Sequence, residues 1–150
     1  MNDMAHTVLR LLEENKIDHT LAEHPAVFNM EELYAQGLEH CDAIAKNLLV
    51  LYGEKRADLK ALKARLGHGA LSFAGAEELA ELLGLTPGSV TPFGALNDKE
   101  HRVTILLDED YRGKLIGAHP NDNTATVWLP ADALVELLRQ QGTTVEFIPF

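Results

Sequence analysis

The 150-residue sequence predicts one α/β domain built on a mixed sheet. Three observations carry this expectation. Short apolar runs of strand composition alternate with amphipathic stretches of helical period. Glycines and prolines punctuate the junctions. No linker, internal repeat or low-complexity tract divides a chain of single-domain length, so the domain spans 1–150.

Taken in order, Val8, Leu9, Leu11 and Leu12 predict an amphipathic helix over 4–15. Residues 17–23 alternate weakly and read as a strand, stopped by His24-Pro25 because a residue before proline is steered from its neighbours' path. Asn29 with Glu32 resembles a capping box, opening a helix through Gln36 that Gly37 ends. The apolar stretch 43–52 predicts a buried strand or two abutting ones. Leu59, Leu62 and Leu66 form the inner stripe of a helix over 57–66, with Gly67 as its C-cap. Residues 76–83 predict a short acidic helix closed by Gly84. Thr86 to Asp98 (TPGSVTPFGALND) has two prolines, two glycines and no period, and reads as a structured loop. Strands are expected over 102–108, 114–118 and 123–129. Pro130 suits the first turn of a helix carrying Leu134, Leu137 and Leu138 and ended by Gly142, and 143–148 is the last strand.

Composition narrows the function classes. An apolar share of 46% with 24% charged residues excludes a disordered or collagen-like chain. No apolar stretch approaches the roughly 20 residues of a membrane span. The first residues lack the basic start and apolar core of a signal peptide, and the single cysteine, Cys41, suits a reducing compartment; a cytoplasmic protein is expected. A net charge of −10 argues against broad phosphate neutralisation, and with no helix-turn-helix signature it argues against a DNA-binding regulator. Five of the thirteen basic residues nevertheless cluster as Lys55, Arg56, Lys60, Lys63 and Arg65. Arg56, Lys60 and Lys63 recur at i, i+4 and i+7, on one face. That face is either a solvated surface or a contact for a polyanion.

The usual catalytic vocabulary is nearly absent. The seven histidines include no HxH, HxxxH or HExxH pair, so no metal is expected. No GxSxG elbow, GxGxxG or GxxxxGK[ST] loop is present, and no cofactor is implied. What remains is Lys46 inside an apolar run, the Pro-Gly loop, and His119-Pro120 ahead of Asn123. Lys46 either snorkels to a sheet edge or lines a pocket.

Together these residues resemble a known family. Lys46-Asn47-Leu48, DLKAL (58–62), LSFA (71–74), PGSVTPFGALND (87–98) and HPNDNTAT (119–126) occur in the order found in bacterial prolyl-tRNA editing proteins, the YbaK/ProX-type superfamily. Glu23 to Phe28 (EHPAVF) fits the family's opening. The resemblance covers essentially the whole chain, and PGSVTPFG is most similar to the branch that clears alanine from tRNA(Pro). One departure stands out: the family normally places a turn and a further strand between Lys-Asn-Leu and the stretch resembling Leu49 to Tyr52, whereas here Leu48 runs directly into Leu49.

The resemblance implies a single domain with a mixed, mostly antiparallel central sheet flanked by helices, and hydrolysis of the ester joining a mischarged amino acid to tRNA. The route implied is metal-independent and substrate-assisted, a ribose hydroxyl helping to place the water. Lys46 and the loop residues Gly88, Ser89 and Val90 are the implied catalytic groups. Phe28, Asn47, Thr91, Pro92, Phe93, Gly94, His119 and Asn123 are the implied substrate-binding groups. Arg56, Lys60 and Lys63 would meet the tRNA body. The implied partners are mischarged tRNA(Pro) and prolyl-tRNA synthetase, with neither membrane nor DNA. A non-catalytic tRNA-binding or synthetase-associated module, and a Cys-tRNA(Pro) deacylase, remain as alternatives.

Overall fold

The computed structural model describes residues 1–27, 31–32, 35, 46–47, 50–52, 75–87 and 89–149. The expected helix over 57–66, with Arg56, Lys60 and Lys63, lies outside the described residues, as do Phe28 and Gly88. Of the expected helix over 29–36 only residues 31–32 and 35 are described: Glu31 and Glu32 are helical, and the Ala35 N–H donates to Glu31 O at 3.0 Å.

Helix α1 (Asp3–Glu14) starts where Asn2 accepts the Ala5 N–H at 2.9 Å, a side-chain cap, and it buries Ala5, Val8 and Leu12. Strand β1 (Thr20–Glu23) begins three residues later than the alternation suggests, because the Ile17 N–H is still spent on Leu12 O. Strands β2 (Lys46–Asn47) and β3 (Val50–Tyr52) resolve the 43–52 run into two antiparallel pieces, with Asn47 opposite Leu51. Helix α2 (Ala76–Leu83) is closed by Gly84, whose φ of +66° is easily adopted by glycine.

The Thr86–Asp98 segment departs from expectation. Pro92–Asn97 winds into a 3-10 helix, opened by Thr91 with Pro92 at its first position. Its PFGALN sequence is almost wholly apolar and so shows no amphipathic period. Phe93 and Gly94 are buried, and a Cβ on Gly94 would meet Leu85 Cδ1 at 2.5 Å. Strand β4 (Thr104–Asp108) starts after Val103, whose N–H is taken by the buried Asp98 carboxylate at 2.8 Å. Strands β5 (Leu115–Ala118) and β6 (Ala125–Pro130) follow, then helix α3 (Ala131–Gln140) and β7 (Thr144–Ile148). Pro130 is the N-cap and last residue of β6, one position earlier than the first-turn site expected for it.

The fold is mixed α/β, as the sequence predicts, but the described strands divide between two sheets where one was expected. One is antiparallel, in the order β1-β6-β5. The other runs β2-β3-β4-β7, with β4 parallel to both β3 and β7. Parallel neighbours need a long crossover, and the chain supplies it between β4 and β7 through β5, β6 and α3. Both sheets feed one core: Ile105 and Leu107 of β4 and Val145 of β7 join Ile116, Val127 and Leu129 of β5 and β6. Leu12, Leu83, Leu134 and Phe93 complete it from the helices. Burying apolar area at about 25 cal/mol per Å² drives this assembly. Its consequence for function is that the β5–β6 loop is held against the 3-10 helix.

Candidate functional site

The β5–β6 loop (119–124) carries the sequence HPNDNT and is fastened on three sides. Toward β1, the His24 N–H donates to Thr124 O at 2.9 Å, extending the β1–β6 ladder past Glu23 and Ala125. Asn123 Nδ2 donates to Val27 O at 2.9 Å while its own carbonyl accepts from the Val27 N–H at 3.2 Å. Toward the 3-10 helix, the Thr91 hydroxyl donates to His119 O at 2.6 Å, and Asn121 Nδ2 donates to Phe93 O at 3.0 Å. Toward α1, the Asn2 side chain donates to Asn121 O at 3.2 Å.

Two residues make this loop possible locally. Asn121 sits at φ +60°, a left-handed conformation that asparagine tolerates better than most residues. Asp122 then accepts the Thr124 hydroxyl at 2.7 Å and its N–H at 2.9 Å, an Asx turn, and the Asn2 N–H at 2.6 Å. Partial burial works to raise the Asp122 carboxyl, but these donors together hold it below its ordinary value.

His119 is half-buried. Its Nδ1 lies 2.8 Å from Ala125 O; a carbonyl only accepts, so Nδ1 carries the proton and Nε2 keeps its lone pair. Burial lowers its pKa, the nearby His24 adds to the lowering, and the Ala125 carbonyl and Asp122 oppose it; the net direction is down. The ring is therefore neutral at pH 7. Ser89 borders a cavity of about 280 Å³ together with Thr86, Leu85, Asn121 and Asp122. Asn121 Oδ1 is buried and without a protein partner among the described residues.

The structure thus brings together several of the sequence-derived residues. Ser89 and Val90 are half-buried, His119 and Asn123 lie on the fastened loop, and Thr91 ties the two stretches. Pro92, Phe93 and Gly94 sit behind them as packing, with Phe93 fully enclosed in the core, so these three act on the loop from inside. Lys46 and Asn47 form β2, paired with Tyr52 and Leu51. Sequence reasoning missed His24, Asn121, Asp122 and Thr126 as parts of the site. The signal was present for two of them: an Asn-Asp pair between prolyl and β-rich stretches is turn chemistry. Among the described residues, no three His, Cys, Asp or Glu side chains gather as a metal site, and no helix is long and apolar enough to cross a membrane.

Comparison with known proteins agrees with this geometry. The profile of the aminoacyl-tRNA editing domain matches residues 24–137. The prolyl-tRNA editing protein ProX of Acetoanaerobium sticklandii is 36% identical over 159 aligned positions, covering 97% of each chain. The prolyl-tRNA synthetase associated domain-containing protein 1 of Danio rerio is 32% identical, covering 95% of this chain and 86% of its own. A solved structure described as a proposed trans-editing enzyme for prolyl tRNA synthetase superposes with a TM-score of 0.70 at 26% identity, covering 100% of this chain and 99% of that one. With its opening histidine, its PGSVTPFG stretch and its HPNDNT loop all inside the matched span, the chain belongs to the aminoacyl-tRNA editing domain family, and with it to the aminoacyl-tRNA deacylases.

Proposed function

We propose that this protein, acting as one domain, clears mischarged tRNA(Pro) in trans, with Ala-tRNA(Pro) as its preferred substrate and prolyl-tRNA synthetase as the source of the error. The observation that carries the reading is the tie between PGSVTPFG and HPNDNT: Thr91 to His119 and Asn121 to Phe93 join the two stretches into one wall. The names of the relatives support the tRNA(Pro) part. The alanine part rests on the loop sequence.

In this reading a water attacks the ester carbonyl, the acyl C–O bond breaks, and the terminal ribose leaves with its hydroxyl restored. The aminoacyl ester is already activated, so positioning and charge stabilisation are the main needs. Backbone amides of Gly88, Ser89 and Val90 receive the developing oxyanion, and the buried Pro92-Phe93-Gly94 base keeps them from yielding. Lys46 holds the terminal phosphate or ribose, seconded by Asn47. His119, with Asn123 and Phe28, shapes the aminoacyl pocket. A neutral imidazole is the better neighbour for an aminoacyl ammonium group than an imidazolium, because like charges repel. Alanine enters, and the proline ring is excluded by clash, which a rigid wall does more easily than rewarding one extra methylene. Arg56, Lys60 and Lys63 meet phosphates of the tRNA body.

The test is deacylation of Ala-, Cys-, Ser- and Pro-charged tRNA(Pro). Ala-tRNA(Pro) should turn over while Pro-tRNA(Pro) survives, and Lys46→Ala should cut kcat/KM roughly a hundredfold, about 3 kcal/mol of transition-state stabilisation. Turnover of the cysteinyl ester alone would move the protein to the cysteine-clearing branch. Binding without turnover would make it a non-catalytic module.

A further inference from the structure

His24 closes β1 against the candidate site, and the reaction just described gives it no task. Its backbone is held by the Thr124 carbonyl and, through Pro25, by the extended conformation that a following proline enforces. Both ring nitrogens are committed. Nδ1 donates to Pro25 O at 2.9 Å, and Nε2 accepts from the Thr126 hydroxyl at 2.9 Å. Thr126 is fully buried within β6. A hydroxyl can accept as well as donate, so both contacts survive whether the His24 ring is neutral or charged. The ring also has a neighbour: its centroid lies 6.0 Å from that of His119, with the planes inclined by 53°. The two imidazoles are fastened to successive residues of one strand, His119 to Ala125 and His24 to Thr126.

We propose that His24 is a positioning residue for His119, a strut anchored on Thr126 that fixes where the His119 ring sits and keeps that ring uncharged beside the aminoacyl group. The role rests on the tRNA-editing reading. Two imidazolium ions this close repel, so His24 disfavours the charged form of His119. The other charged groups nearby are Asp122 in the β5–β6 loop, which favours the charged form of His119, and the exposed Glu23 next to His24 on β1. His24 offsets Asp122. A strut also explains the spacing: a ring pinned at both nitrogens blocks the side of His119 toward which it would otherwise rotate.

The experiment follows the His119 ring by NMR titration in wild type, His24→Gln and Thr126→Val, beside steady-state deacylation against pH. His24→Gln removes the second imidazole and should move the His119 pKa upward toward its ordinary 6.5, carrying the acid limb of kcat/KM with it. Its kcat should fall about tenfold with KM within about twofold, because positioning rather than binding is lost. Thr126→Val keeps both rings, removes only the anchor, and should shift both readings in the same direction by less. An unchanged His119 titration and acid limb in a folded His24→Gln protein would overturn the proposal. If His24→Gln does not fold, Thr126→Val decides alone, an unmoved His119 titration counting against the strut. The NMR titration needs no turnover, so inactivity of the wild type on every tRNA(Pro) ester would sink the substrate reading while leaving the coupling of the two rings measured.

Discussion

The 3-10 segment Pro92–Asn97 and the loop His119–Thr124 meet at the Asn121–Phe93 hydrogen bond and, through the capping Thr91, at the Thr91–His119 one, yet different forces hold them. The first is fixed by packing: Phe93 is wholly enclosed, and a Cβ on Gly94 would meet Leu85 Cδ1 at 2.5 Å. The second contributes little apolar area. It is fixed by hydrogen bonds among Asn121, Asp122, Asn123, Thr124 and their neighbours, and it carries two groups with shifted pKa, His119 and Asp122. The lesson is a division of labour. A packed base without a titratable side chain supports a polar arm that carries two.

The largest effect should come from emptying the base. Phe93→Ala removes a buried ring and leaves a cavity, at a cost of about 3–5 kcal/mol. In a chain of this length that lowers the melting temperature on the order of 10 °C. Thermal melts at pH 5 and pH 8 should show the same decrement, since no titrating group is involved. A decrement that differs between the two would break the contrast drawn above.

Helices α1, α2 and α3 and strands β4 and β7 were legible in the sequence because each carries its own period and its own stop. Gly84 at φ +66° and Gly142 at φ +98° end helices where a glycine was expected to. The 3-10 helix was not legible: PFGALN is apolar on every side, and six residues are too few to show a period of three. The partition into two sheets was hidden for another reason. Strand pairing is decided by partners far along the chain, such as β4 with β7, and no local signal reports it. Of the site, the PGSVTP and His119 stretches were visible as unusual chemistry. His24 was visible as a strand stop and within the EHPAVF opening but not as a site residue, because the hydroxyl that pins its ring lies 102 positions away.

A smaller effect should follow from cutting the tie between the two regions. Thr91→Val is nearly isosteric, so without opening a cavity it removes the donor to His119 O and, with it, the long cap contact from the Phe93 N–H. The net worth of such a bond is about 1 kcal/mol, and unfolding by urea should register that loss. Deacylation should suffer more, roughly tenfold in kcat/KM, because a loop that slips by a fraction of an ångström misaligns both walls of the site. Equal losses in stability and activity would mean that the bond serves the fold alone.

The smallest effect is a pH dependence confined to the arm. The His119 pKa lies below its ordinary 6.5 in the folded protein, so between those two values the unfolded chain binds more protons than the native one. Stability therefore rises with pH across that window, and is lost as pH falls from 6.5 through the folded value. Asp122 behaves in the same sense lower down. Its folded pKa lies below 3.8, so its contribution is intact above 3.8 and is lost as pH falls through the folded value. Urea midpoints measured from pH 8 to pH 3 should thus fall in two steps, one beginning near 6.5 and one near 3.8. His119→Gln should flatten the upper step and leave the lower; Asp122→Asn should do the reverse. The chain has seven histidines, so an upper step that survives His119→Gln unchanged would assign it to the others. The arm would then respond to pH through Asp122 alone.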